Sequence, residues 1–348
     1  MKQMSRFLAI FSLMTGLSGV APAASVAVQT KTPVPANIDQ YAQQRENLLN
    51  LYKDLNLDFE GDFPAFYWDH GEDAAKGHVA APGGVRVNSN QDMWVFEITS
   101  ADGTPVPVKS YNAEVQAQMA EMAEGRLPEE LEGVFEIEMV NLNLGKLNRS
   151  NIPDRLDSTS SKPVYYVPEA ARRAFQRQGM EEHVKVAERI FGPKLFYSLP
   201  IARQITTLDM IYPLNNAFED TEFCKAMKAD DWDGPNATEP GLTNGEMVIR
   251  ESWASGAERG KFDKKTKEPI GQILRRYGSR RLLNKWGTKD LSADQLEEIS
   301  QDIRATLPPG EDALAGHLDH IFLVQVEFNE QEKTQTPIAG RGPNGVAR

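Results

Sequence analysis

Residues 319–329 read DHIFLVQVEFN, and whether that run is a strand or a helix decides how much of the chain is sheet. Phe322, Val324, Val326 and Phe328 recur at every second position, which puts them on one face of a strand and Gln325 and Glu327 on the other. Read this way, the run closes a series of strand candidates at 93–99, 105–109, 134–144, 162–167, 194–199 and 245–255. Asp102-Gly103 is a turn between the first two, so the second returns along the first.

Helical spacing separates these strands. The apolar positions 38, 41, 48, 52 and 55 mark one helix, and Val115, Met119 and Met122 mark another between Asn112 and Glu124. A third follows Pro168 and carries Phe175, Val184, Ala187 and Phe191, with Gly179 as its weak point. The clearest start is at Ser292, where Ser292 and Gln295 form a capping box and Leu291 can staple onto Leu296. Leu296, Ile299, Ile303 and Leu307 then make a buried stripe that Pro308-Pro309-Gly310 ends. Residues 58–84, rich in Gly, Pro, Asp and aromatics without periodicity, read as an ordered loop. The irregular interleaving predicts an α+β fold, a mainly antiparallel sheet of about six to eight strands with helices packed on it. One such domain spans 37–329, with a division into two subdomains near 150–160 as the alternative.

The ends read differently. Lys2 and Arg6 precede the apolar run Phe7–Val20, and Ala21-Pro22-Ala23 supplies a small-x-small cleavage pattern. That order is a secretory leader over residues 1–24, cut after Ala23 or Ala24, and it predicts a secreted or periplasmic protein. The run falls short of the roughly 20 apolar residues that span a bilayer, and no later stretch approaches that length. Residues 25–36 form a flexible lead-in. Residues 330–348 carry too little apolar content to pack and read as a loose tail.

Composition is that of an ordinary globular chain, 40% hydrophobic and 25% charged. The formal charge is −12, and loss of Lys2 and Arg6 with the leader makes it −14. Such acidity argues against nucleic acid as a partner. Cys224 is the only cysteine, so no intramolecular disulfide forms, and its setting reads as a buried, inert helix thiol.

No nucleophile elbow, phosphate loop, dinucleotide glycine run or zinc-protease helix motif occurs, so three clusters carry the functional expectations. Asp69, His70 and Glu72 follow the aromatics Phe63, Phe66, Tyr67 and Trp68, with His78 close behind. Aromatics stack on sugar faces and paired carboxylates cleave polysaccharides, so these three are the candidate catalytic residues. His317, Asp319 and His320 are the densest ligand-capable group and the candidate site for a divalent metal. On a helix the two histidines would share a face, whereas a strand points them apart. His183 reads as a lone, solvent-facing helix histidine.

The third cluster is electrostatic. Residues 261–289 hold ten basic side chains against Asp263 and Glu268, a net +8 inside a mature chain of −14. Ile270, Ile273, Leu274, Tyr277, Leu282, Leu283 and Trp286 form a helical apolar stripe interrupted at Gly278. Arg275, Arg276, Arg280, Arg281 and Lys285 leave it as a candidate face for an anionic ligand, an acidic polysaccharide or an acidic partner protein. The favoured reading is therefore a periplasmic binding or envelope-assembly protein. The alternative is a secreted hydrolase or lyase on an envelope or extracellular polysaccharide, with metal dependence if the histidine group binds an ion.

Overall fold

The computed structural model describes residues 41–69, 77–87, 90–110, 112–154, 157–229 and 272–335. The leader and lead-in, His70, Glu72, the strand candidate 245–255 and the chain past 335 lie outside the described residues. In order, the elements are α1 (Ala42–Glu60), β1 (Tyr67–Asp69), β2 (His78–Ala81), β3 (Val85–Arg86), β4 (Asp92–Ser100), β5 (Val106–Pro107), α2 (Ala113–Ala123), β6 (Phe135–Asn143), β7 (Thr159–Ser160) and β8 (Val164–Tyr166). The remainder is helical: α3 (Glu169–Phe191), α4 (Pro193–Ser198), α5 (Ile201–Leu214), α6 (Glu222–Ala229), α7 (Gln272–Trp286), α8 (Leu296–Thr306) and α9 (Asp312–Gln335).

The chain is mixed helix and sheet, but there is no sheet of six to eight strands. The strands instead form two three-stranded sheets, β1-β2-β3 and β6-β4-β8, and the pair β5-β7. The main reason is residues 319–329, which lie in α9. Leu314, Ala315, Leu318, Ile321, Phe322, Gln325, Val326 and Asn329 are its buried positions, recurring at intervals of three and four. The alternation of Phe322, Val324, Val326 and Phe328 coincides with that stripe over only part of its length. The helix begins seven residues earlier, at Asp312, whose carboxylate suits an N-terminal turn. It also runs on to Gln335, so the first residues of the expected tail are helical.

The strand candidate 194–199 is helix up to Ser198 rather than strand. Gly192, at φ 74°, breaks α3, and Pro193 starts α4 at a position where a missing N–H costs nothing. Residues 58–84, expected as loop, hold β1 and β2, paired antiparallel with Asp69 opposite His78. The Asp102-Gly103 turn is present, but β5 pairs with β7 rather than returning along β4. α7 runs unbroken through Gly278, where a side chain would crowd Thr306 of α8 at 3.1 Å. The Ser292–Gln295 capping box is formed, with the Ser292 amide donating to Gln295 Oε1 at 3.1 Å.

Two bodies of core result. The helices bury one large cluster, including Leu49 and Leu55 of α1, Val184 and Ala187 of α3, Ile205 and Ile211 of α5, Leu282 of α7, Ile303 of α8 and Phe322 of α9. The β6-β4-β8 sheet buries opposite ends of its two faces. On one face Ile98, Phe135, Val164 and Tyr166 pack against Met119 and Met122 of α2. On the other, Val95 packs with Phe66, Ile152 and Phe175 of α3.

Candidate functional site

α7 brings Arg276 and Arg280 to the same side, four residues apart, and that side faces α5. Its partner there is Asp209, whose side chain is fully buried within 205–211, a run buried throughout. The Arg276 Nε donates to Asp209 Oδ1 at 2.9 Å, and its Nη1 donates to Glu60 Oε1 at 2.6 Å. The Arg276 guanidinium also lies 5.1 Å from the ring centres of both Phe59 and Tyr212. Arg280 donates from Nε to Asp209 Oδ2 and from Nη2 to the Asp209 carbonyl at 2.7 Å. Burial alone would raise the Asp209 carboxyl, but the charges and hydrogen bonds of the two arginines outweigh it and hold it below its ordinary value.

Two guanidinium groups thus meet two carboxylates, a neutral network clamping α7 to α5 and α1. Removing one member of such a group strands a buried charge, at a cost of about 3–5 kcal/mol. The outer cations of α7 are engaged as well. Arg275 pairs with Glu311 at 2.8 Å, and Lys285 donates to Asp302 at 2.7 Å while lying over the Trp286 ring. Arg281 is exposed, with its guanidinium 6.0 Å from the Tyr277 ring centre. Of the five residues expected to meet an anion, two are therefore turned into the core and two stand on carboxylates of the same chain.

The structure separates the expected metal group. His317 and His320 do lie on a helix, but His317 Nδ1 is 2.6 Å from Asp58 of α1. Asp319 accepts from Ser300 of α8 at 3.2 Å, and His320 is exposed. Among the described residues no three His, Cys, Asp or Glu side chains gather as metal ligands. Asp69 ends β1 directly across from His78; His70 and Glu72 lie outside the described residues.

His183 is partly buried, with its Nδ1 turned away from solvent. Its ring meets Tyr212 edge-on at 5.3 Å, and its Nδ1 has no hydrogen-bond partner among the described residues. Burial depresses its pKa to about 4. Nearby, the Tyr212 hydroxyl donates to the Gly83 carbonyl at 3.3 Å. Gly84, at φ 73°, leaves room there, since a Cβ would collide with that hydroxyl.

One surface was not anticipated. In the β6-β4-β8 sheet, Phe96 pairs with Met139 and Trp94 with Asn141, so Trp94, Phe96 and Met139 share a face. α2 covers that face only around Ile98 and Phe96. Beyond it Trp94 is 59% exposed and Met139 60%. On the opposite face Glu97 pairs with Glu138, and its carboxyl is raised by burial and by that neighbouring charge. The signal in the sequence was the strand 134–144 itself, whose alternation puts Met139 opposite its two glutamates rather than with them. Comparison with protein-family models, curated proteins and solved structures finds no match to this chain.

Proposed function

We propose that the chain is an exported binding or assembly protein whose contact surface is the β4–β6 side of the sheet. The observation that carries the reading is the pair Trp94 and Met139, more than half exposed and diagonal neighbours on a face whose other end is core. Contiguous bare apolar side chains at a sheet margin mark sites of association. The basic, apolar, small-residue order of residues 1–24 supports a contact made outside the cytoplasm. The basic helix α7 has a different part in this reading. Its cations stand on Asp209, Glu60, Glu311 and Asp302 and so join the helices to one another.

The test is photo-crosslinking in the producing cell, with a benzophenone side chain at position 139 and, as the control, at the exposed position 298 of α8. A discrete adduct from position 139, lost on Trp94→Ser, is the expected result. Equal labelling from both positions, or none from 139, would overturn the assignment. The recovered protein should begin at Ala24 or Ser25; an intact Met1 in the envelope or medium fraction would remove the export part.

A further inference from the structure

The β6-β4-β8 sheet is closed on one side and open on the other. Beyond β8, the Phe66 amide donates to the Tyr165 carbonyl at 3.1 Å and the Val167 amide to the Pro64 carbonyl at 2.7 Å. β6 is the opposite margin, and among the described residues no strand pairs with its outer edge. It runs for nine residues, Phe135–Asn143, with no proline, glycine or lysine to blunt it. An open edge of that length is a template for a further strand.

The two faces beside this edge differ in chemistry. One presents Met139 and Trp94. The other presents Glu136 and Glu138, both exposed, backed by Glu97. Glu129, Glu130 and Glu132 precede them, so residues 129–138 hold five glutamates and no basic residue. Among the described residues no cation pairs with any of the five. Like charges facing each other across strands are destabilising and opposite charges stabilising. A second copy of β6 would set its glutamates against these, whereas a strand carrying lysine or arginine would meet them favourably.

We propose, building on the contact surface above, that β6 takes up an extended segment of another protein as a fourth strand. In that segment cationic and apolar residues alternate. Side chains alternate across a strand, so the cations fall on the Glu136–Glu138 face and the apolar residues on the Met139–Trp94 face.

The probe is a nine-residue, end-blocked peptide alternating lysine and valine, titrated calorimetrically into the full chain. One comparison peptide has the same composition in two blocks; another is N-methylated at every second amide. The alternating peptide should bind about tenfold tighter than either comparison, since alternation and backbone pairing both contribute. Glu136→Gln with Glu138→Gln should weaken it about fivefold to tenfold and flatten its salt dependence, at unchanged melting temperature. Equal binding of the block or N-methylated peptide would reduce the effect to charge alone and overturn strand addition. Sedimentation as a dimer that Val140→Pro dissolves would assign the edge to a second copy and overturn the proposal. If the alternating peptide does not bind while the position-139 crosslink persists, this inference fails and the contact surface stands.

Discussion

Position 183 shows how burial converts an ordinary side chain into a pH-dependent liability. The His183 imidazole sits edge-on to Tyr212, near Asp209, Arg276 and Glu182, and burial holds its pKa at about 4. In the unfolded chain the same ring titrates near 6.5. Above pH 6.5 both states are neutral, so the stability is fully present. Between 6.5 and 4 the unfolded state gains a proton that the folded state refuses, and stability falls by up to about 3 kcal/mol. Below 4 the loss levels off. His183→Phe keeps a ring against Tyr212 and removes the titration. Urea midpoints for wild type and variant should therefore diverge from pH 6.5 to pH 4.5, the variant being the flatter; parallel curves would place the acid sensitivity elsewhere. The sequence names this histidine but not its burial, because a helix residue's outward or inward direction is set by which neighbours pack on it. The same holds for Arg276 and Arg280. Their clustering is plain in residues 261–289, but Asp209 lies 67 positions from Arg276 and 71 from Arg280, and Glu60 lies 216 from Arg276.

At the scale of elements, α9 owes its place to polar side chains as much as to apolar ones. Gln325, fully buried, accepts from the Ala202 amide at 3.1 Å, one of the first-turn N–H groups of α5 that have no partner inside their own helix. Its Nε2 donates to Asn329 at 2.8 Å, and Asn329 donates to the Leu291 carbonyl at 2.9 Å. Gln325→Leu keeps the volume and leaves the Ala202 amide and the Asn329 carbonyl oxygen dry and unpaired, so it should cost about 2–4 kcal/mol. Chemical denaturation measures it; a loss under about 0.5 kcal/mol would mean that water replaces the side chain. This relay also explains why 319–329 reads as a strand. Gln325 sits among apolar residues, so taking polar to mean outward yields a period of two, while the buried positions follow three and four. α1, β4, α2, β6, α3 and α8 were legible because their periodicity was unbroken, with a start signal added at Pro168 for α3 and Ser292 for α8; in the structure Asn112 also caps α2 through the Glu114 amide. α4 and α9 were not, because a six-residue run and a truncated window leave the period ambiguous. The contact face at Trp94 and Met139 was half legible. Its strands could be read, but not which half of that face α2 would leave uncovered.

For the whole molecule the question is whether the helices and the β6-β4-β8 sheet unfold together. α3 belongs to both cores, Phe175 in the sheet cluster and Val184 and Ala187 in the helical one. Arg172, one turn before Phe175, adds a pairing with Asp62 at 3.1 Å on the connection from α1 to β1. A helix of 23 residues cannot release one end's packing without weakening the turns that carry the other. The two cores are therefore expected to share one cooperative transition. Cys224 gives a probe confined to the helices. It is fully buried beside Phe218 and Phe223, and burial pushes its thiol up to about 11, so at pH 8 the native chain offers almost no thiolate. A thiol reagent then reports only molecules in which the helical core has opened. Near-UV dichroism reports the sheet in turn, through the buried, edge-to-face Phe66 and Phe175 pair and Tyr166. Labelling of Cys224 and loss of that signal should share one urea midpoint and one denaturant slope. Labelling at distinctly lower urea would show that α3 melts between its two cores, and that the sheet with its open edge holds its structure apart from the helices.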